Sequence, residues 1–204
     1  MSLYQHLSQF NRCTSEEELV KQFKELAKQF IYGGYIKVND TYRVYIRTVE
    51  FYYHDESDQP DAIKDPIMYH RNKPDMNVPY FPLMTLNAHQ SGYDITFENE
   101  EQRFRASALI REYSVYDCKA QAFLPLQKNM RDNRSTFLFD YLNGFSINGK
   151  SDIVWIDDAH EPQEELQQGA RKGARIIVDG KKTDERDSRP WQFKLKEAIW
   201  LPTD

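Results

Sequence analysis

The stretch YRVYIRTVEFYYHDES, Tyr42 to Ser57, decides how this chain is read. With a period of two, one face of a strand carries Tyr42, Val44, Ile46, Thr48, Glu50 and Tyr52. The other carries Arg43, Tyr45, Arg47, Val49, Phe51 and Tyr53. This places Glu50 on the same face as Val44 and Ile46. If that face meets the core, the carboxylate is desolvated and needs a cation or hydrogen-bond donors beside it.

Upstream, TSEEELVKQFKELAKQFIYGG (14–34) predicts a helix. Thr14 or Ser15 caps it, Glu17 or Glu18 completes a capping box, and Gly33 with Gly34 supplies a left-handed exit. Leu19, Phe23, Leu26 and Phe30, with Val20, Ala27 and Ile31, form one apolar stripe for packing on a core. GYIKV, a turn at Asn39 and Asp40, and the long strand then make a hairpin.

Downstream, His54 to Pro82 is polar, proline-bearing and irregular, the pattern of a long loop at a strand end. Strands are predicted in LMTLNA, YDITFEN, ASALIREYSVYD, DIVWIDD, ARIIVD and WQFKLK, whereas FLFDYLNGF (137–145) fits a short helix or a strand. The fold class is therefore α+β, a mostly antiparallel curved sheet with few helices. A single domain is expected over residues 1–204, with 1–13 as an N-terminal extension and 14–34 as the packing helix.

Hydrophobic residues at 40% and charged residues at 29% describe an ordinary globule, and no apolar run is long enough to cross a bilayer. MSLYQHLSQFNRC lacks the basic start and apolar centre of a secretion signal, and the two cysteines, Cys13 and Cys118, have no metal-like spacing. These features predict a cytoplasmic, membrane-free protein with free thiols. A net charge of −5 argues against coating nucleic acid by bulk electrostatics, but charge is unevenly spread. Residues 102–134 hold seven basic against three acidic residues, and 170–182 hold five against one. A basic surface drawn from them would include Arg103, Arg105, Arg171, Lys172 and Arg175.

No phosphate-cradling glycine loop, zinc spacing or serine elbow is present. The acidic run His54, Asp55, Glu56, Asp58 and Asp61 lacks the glycine and register of a calcium loop, which leaves a solvated loop as the simpler reading. Glu50 is the stronger candidate, with Tyr52, Tyr53, His54 and His70 following it. In ALIREYS, Arg111 shares a strand face with Leu109 and Tyr113, so an inward arginine and an inward glutamate form either a structural ion pair or a working pair.

The order of a capped helix ending in glycine, a hairpin, RTVEFYY, DPIMYHRN, ALIREYS, ARKGARI and RPWQFKL resembles the methylpurine-DNA glycosylases of the alkyladenine type, over about Leu19 to Leu195. The chain departs from that family after Arg111, where Glu112-Tyr113-Ser114 replaces an alanine-rich RA-x-EP pattern, and in the hairpin LMTLNAHQSGYDITF. The resemblance implies a monofunctional glycosylase of base-excision repair, acting without metal or organic cofactor on alkylated or deaminated purines flipped out of DNA. It makes Glu50 the general base on a water held with Arg111, and places the flipped base between Tyr52 and His70, with Asp94 near the pocket position of an amide. Tyr93 or His89 would be the residue that wedges into the duplex. Damaged DNA is the implied partner of a monomer. The alternative is a non-catalytic module on the same fold that binds a nucleobase, a nucleotide or another small ligand.

Overall fold

The computed structural model describes residues 1–89, 91–125, 138–139, 142, 152–161, 164–178 and 181–196. In chain order the described elements are α1 (Leu3–Ser8), α2 (Glu16–Tyr32), β1 (Gly34–Val38), β2 (Tyr42–Asp55), β3 (Leu86–His89), β4 (Gly92–Thr96), β5 (Phe104–Asp117), β6 (Ala122–Phe123), β7 (Ile153–Asp157), β8 (Gln167–Gly169), β9 (Arg175–Val178), β10 (Lys181–Arg186) and β11 (Gln192–Lys194). The fold is α+β. Nine strands make one antiparallel sheet with the path β3-β4-β5-β2-β1-β7, and β9 with β10 forms a separate hairpin.

The centre of the sheet is the pair of long strands β2 and β5, joined from Tyr42↔Asp117 to Asp55↔Phe104. One edge of β2 pairs with β5 along its length. Its other edge is shared, because β1 pairs with its first residues and β11 with Thr48 to Glu50. This division brings the C-terminal strand beside Glu50.

The α2 helix begins at one of its two predicted caps, but the expected capping box does not close, since the Glu18 carboxylate accepts from Thr14 N at 3.4 Å. Ser15 is the cap, its Oγ accepting from Glu18 N at 3.2 Å, and Glu16 to Glu18 lie where the helix dipole favours negative charge. The exit differs from expectation. Gly33 has φ −84° in the right-handed region, and the end carbonyls of Tyr32 and Gly33 accept from His160 N and Asp158 N at 2.8 and 2.9 Å. A neighbouring segment thus satisfies the helix end, and no left-handed turn is required. Glycine is needed at both positions for closeness: a Cβ on Gly33 would lie 2.4 Å from Gln29 O, and one on Gly34 2.0 Å from Ile156 O of β7.

Residues 1–13 pack into the core. Ser2 and Gln5 close a capping box, and Leu3, Leu7 and Phe10 are buried. Phe10 meets Phe23, Tyr53, Phe97 and Phe104, while Phe23 stacks on Phe51 at 4.5 Å. Phe10, which follows α1, and Phe23 and Phe30 of α2 therefore cover one face of the sheet with aromatic side chains.

The period-two reading of β2 requires correction. The β2–β5 register runs Ile46↔Tyr113, Thr48↔Glu112 and Val49↔Ile110, so it shifts between Ile46 and Val49. Core residues are Val44 and Ile46 before the shift, and Val49, Phe51 and Tyr53 after it. On β5 the core residues are Val115 and Tyr113, then Ile110, Ala108, Ala106 and Phe104. An irregularity of this kind exchanges the two faces. Glu50 consequently points away from the core that takes Val44 and Ile46.

FLFDYLNGF lies mostly outside the described residues; Leu138, Phe139 and Leu142 of it are buried in the core cluster. Cys13 and Cys118 are free thiols. Among the described residues no helix is long and apolar enough to cross a membrane.

Candidate functional site

The face of the sheet opposite the helices is polar and buried. Ile95, Ala108, Phe51 and Phe193 belong to the core, so the neighbours Asp94, Leu109, Glu50 and Gln192 point the other way. Register aligns them in one row across four strands, Asp94↔Leu109, Leu109↔Glu50 and Glu50↔Gln192. At ordinary strand spacing the backbones of Asp94 and Glu50 stand about 10 Å apart, with Leu109 between them.

Glu50 is fully buried. Its Oε1 accepts from Lys172 N at 2.6 Å and Gln192 Nε2 at 2.7 Å; its Oε2 accepts from Arg111 Nε at 2.8 Å and Tyr52 Oη at 3.2 Å. A carboxylate has about four acceptor sites, and four donors fill them here. Arg111 Nη2 also donates to Lys172 O at 2.6 Å, which ties the 170–174 loop to the same group. The direct contact leaves no room for a water between Glu50 and Arg111. Burial, and then the Glu50 charge, raises the Tyr52 hydroxyl pKa, which keeps it a proton donor. One face of the Tyr52 ring is covered by the Arg171 guanidinium at 4.5 Å.

Asp94 is also buried but differently partnered. Its Oδ2 lies 3.1 Å from His89 Nε2 and 3.8 Å from His70 Nε2, while Oδ1 meets no donor among the described residues. His70 is held from both sides, by Glu98 at Nδ1 and by Ser107 Oγ at Nε2, 3.2 Å away. His70 and Tyr52 come to one part of the sheet, because Ser107, which meets His70 Nε2, is the cross-strand partner of Tyr52; the His70 ring meets Phe81 edge-on. The accessible aromatic surface is at Tyr69, 48% exposed, whose ring lies over His89 with centroids 4.8 Å apart.

Two residues read as surface cations are internal. Arg105 is fully buried, bonded to Glu56, Pro79 O and Val78 O with Tyr80 over its guanidinium, and so fastens the 56–84 loop to the sheet. Arg171 is buried between Asp65 and Asp187. Neither side chain can reach a phosphate. Tyr93 also turns to the core side and meets Phe139 edge-on, so it does not project as a wedge. Arg103, Lys172 and Arg175 are exposed, with side-chain exposures of 54%, 76% and 51%.

The acidic run is spent on arginines: Asp55 and Asp61 on Arg12, Glu56 on Arg105 and Asp58 on Arg103. Among the described residues no group of His, Cys, Asp and Glu is arranged to hold a metal ion. A separate cleft of about 280 Å³ is lined by His54, Glu56, Lys64, Asn72 and Arg103. Burial, then Arg71 and Lys64, lowers the His54 pKa to about 4. Its Nδ1 accepts from Asp65 N at 2.9 Å, which requires the neutral ring. In the unfolded chain the ring protonates near pH 6.5, so the stability it protects is full above that value and is lost as pH falls from about 6.5 to 4. Thermal melts should therefore show a falling midpoint across that window in wild type and a flatter one in His54→Asn. Equal slopes would contradict a neutral buried His54.

The sequence reading missed Tyr69, Gln192, Glu98 and Ser107. Gln192 had a signal, a polar residue alternating with Trp191 and Phe193 in a closing strand. The others lie in loops or carry common residues in strands and become partners only through tertiary contact. No family model, curated protein or solved structure matches the chain.

Proposed function

We propose that the chain hydrolyses the N-glycosidic bond of damaged purines, alkylated or deaminated, in DNA. The observation that carries this reading is the row Asp94–Leu109–Glu50, two buried carboxylates on either side of an apolar side chain on one polar face. Hydrolysis at an anomeric carbon needs a carboxylate to activate water, and the row places two candidates on the same face. Arg111 and Lys172 supply positive charge on the Glu50 flank, and the Tyr69–His89 pair supplies an aromatic surface near Asp94. A cationic alkylated purine is favoured over a normal base on such rings.

The second reading is a module that binds a base without hydrolysing it. It is supported by the four donors on Glu50, a carboxylate that holds a structure together as it stands. Purified protein incubated with duplex and single-stranded oligonucleotides carrying alkylated or deaminated purines distinguishes the two. Release of free base, with retention on the oligonucleotide that weakens as salt rises, is the expected result. Retention without release selects the binding module. With neither, both readings fail.

A further inference from the structure

From the unfilled oxygen of Asp94 and its surroundings we infer that Asp94, not Glu50, is the carboxylate that takes the proton from the attacking water, with Tyr69 stacking the departing base. The inference rests on the hydrolase reading above and assigns its catalytic residues. A general base must have a lone pair free for the proton it removes. Glu50 has none, because Lys172 N, Gln192, Arg111 and Tyr52 occupy its acceptor directions. Asp94 has one at Oδ1, an acceptor buried without a donor among the described residues. An unpartnered carboxylate oxygen costs free energy in a folded protein, and a bound water or ligand is the ordinary way to recover it.

The groups around Asp94 suit the role. His89 Nε2 at 3.1 Å and His70 Nε2 at 3.8 Å both face Oδ2, which leaves Oδ1 for the water. Glu98 and Ser107 hold the His70 ring in place. Tyr69 is exposed and lies against His89, so a planar base resting on it would bring its sugar toward Asp94. The cations Arg111 and Lys172 remain on the Glu50 flank, away from the side where the cationic purine would bind.

The step balances as follows. The water oxygen forms a bond to the anomeric carbon as the carbon–nitrogen bond breaks. The bonding pair goes to the cationic alkylated purine, which leaves neutral. The water proton passes to Asp94 Oδ1 and then to solvent. Glu50 is a positioning residue, holding Arg111 and the 170–174 loop.

Anion rescue tests the assignment. Azide needs no base, so it restores turnover to a variant that lacks only the proton acceptor. Wild type, Asp94→Ala and Glu50→Ala are assayed for base release from the most reactive alkylated substrate, with and without azide, and sugar azide is sought by mass spectrometry. Asp94→Asn, with nearly the same shape, serves as the second variant, and denaturation curves confirm that each protein is folded. Asp94→Ala should lose about 10²–10⁴-fold in base release. Azide should recover at least tenfold of that and give the sugar azide. Rescue of Glu50→Ala instead, or full activity in both folded Asp94 variants, overturns the assignment while the hydrolase reading stands. Folded Asp94→Ala that is inactive and not rescued overturns it as well. If wild type releases no base from any substrate, the hydrolase reading fails and the assignment falls with it.

Discussion

Replacing Arg171 with methionine should destabilise the chain by about 3–5 kcal/mol, the cost of removing one partner from a buried ion pair. The Arg171 side chain has no exposure. Nε donates to Asp187 Oδ2 at 3.0 Å and Nη1 to Asp65 Oδ2 at 2.6 Å, and Nη1 also reaches Phe51 O at 3.3 Å. Its guanidinium lies 4.5 Å from the Tyr52 ring and 4.8 Å from the Trp191 ring. One side chain thus joins the 56–84 loop, the segment before β11 and the central strand. Methionine fills much of the volume but leaves Asp65 and Asp187 with Arg189 as their remaining cation. In the native chain, burial opposes the Asp187 charge, but Arg189 and Arg171 outweigh it and lower its pKa.

That shift fixes the pH dependence. A carboxylate with a lowered folded pKa contributes stability above its unfolded value, and this is lost as pH falls through the folded one. The difference between wild type and Arg171→Met should therefore be largest near neutrality and shrink as pH falls through the acid range in which Asp187 protonates. Urea denaturation at several pH values measures it, read as a change in midpoint at constant slope. A triple variant, Arg171→Met with Asp65→Leu and Asp187→Leu, should recover much of the loss, because no charge is then stranded. If the single variant costs less than 1 kcal/mol at neutral pH, the network is not what fastens these segments.

The elements were legible in the sequence where local chemistry determines them. Ser15 and the acids after it start α2, the stripe from Leu19 to Ile31 gives its buried face, and alternation gives β2 and β5. The exchange of faces between Ile46 and Val49 was not legible, because it arises from pairing with β5 and no residue in YIRTVEF marks it. The α1 helix is one short turn and a half, whose stability comes from burying Leu3 and Leu7 on the core. Arg105 and Arg171 looked like surface cations for a similar reason. Their partners Glu56, Asp65 and Asp187 lie far off in sequence, and a local window cannot show that a charge is met. The Glu50–Arg111 contact was legible as two charges on apolar strands, although the face argument behind it was wrong and the pair lies on the polar side.

Glu50→Gln decides whether that pair is a fastening or an instrument. The amide keeps the shape but replaces one oxygen with a donor. Whichever way it is turned, its NH₂ faces either Arg111 Nε and Tyr52 or Lys172 N and Gln192, and donors then oppose donors. Tyr52 can rotate its hydroxyl to accept, and half-buried Arg111 can turn outward, but Lys172 N is fixed by its loop. Each buried donor left unmet costs about 1–3 kcal/mol. A total of about 3 kcal/mol is expected, with faster hydrogen exchange at the Lys172 amide. Arg111→Met alone should cost less, since Glu50 keeps three donors, and the double variant should show a coupling of about 0.5–3 kcal/mol. The sign of the Glu50→Gln result carries the argument. A residue retained for chemistry commonly costs stability, so its removal leaves the protein as stable or more so. A clear loss would mark Glu50 as the anchor of the 170–174 loop, consistent with Asp94 as the proton acceptor. A gain would show that its charge is held there against the interest of the fold and return the catalytic role to Glu50.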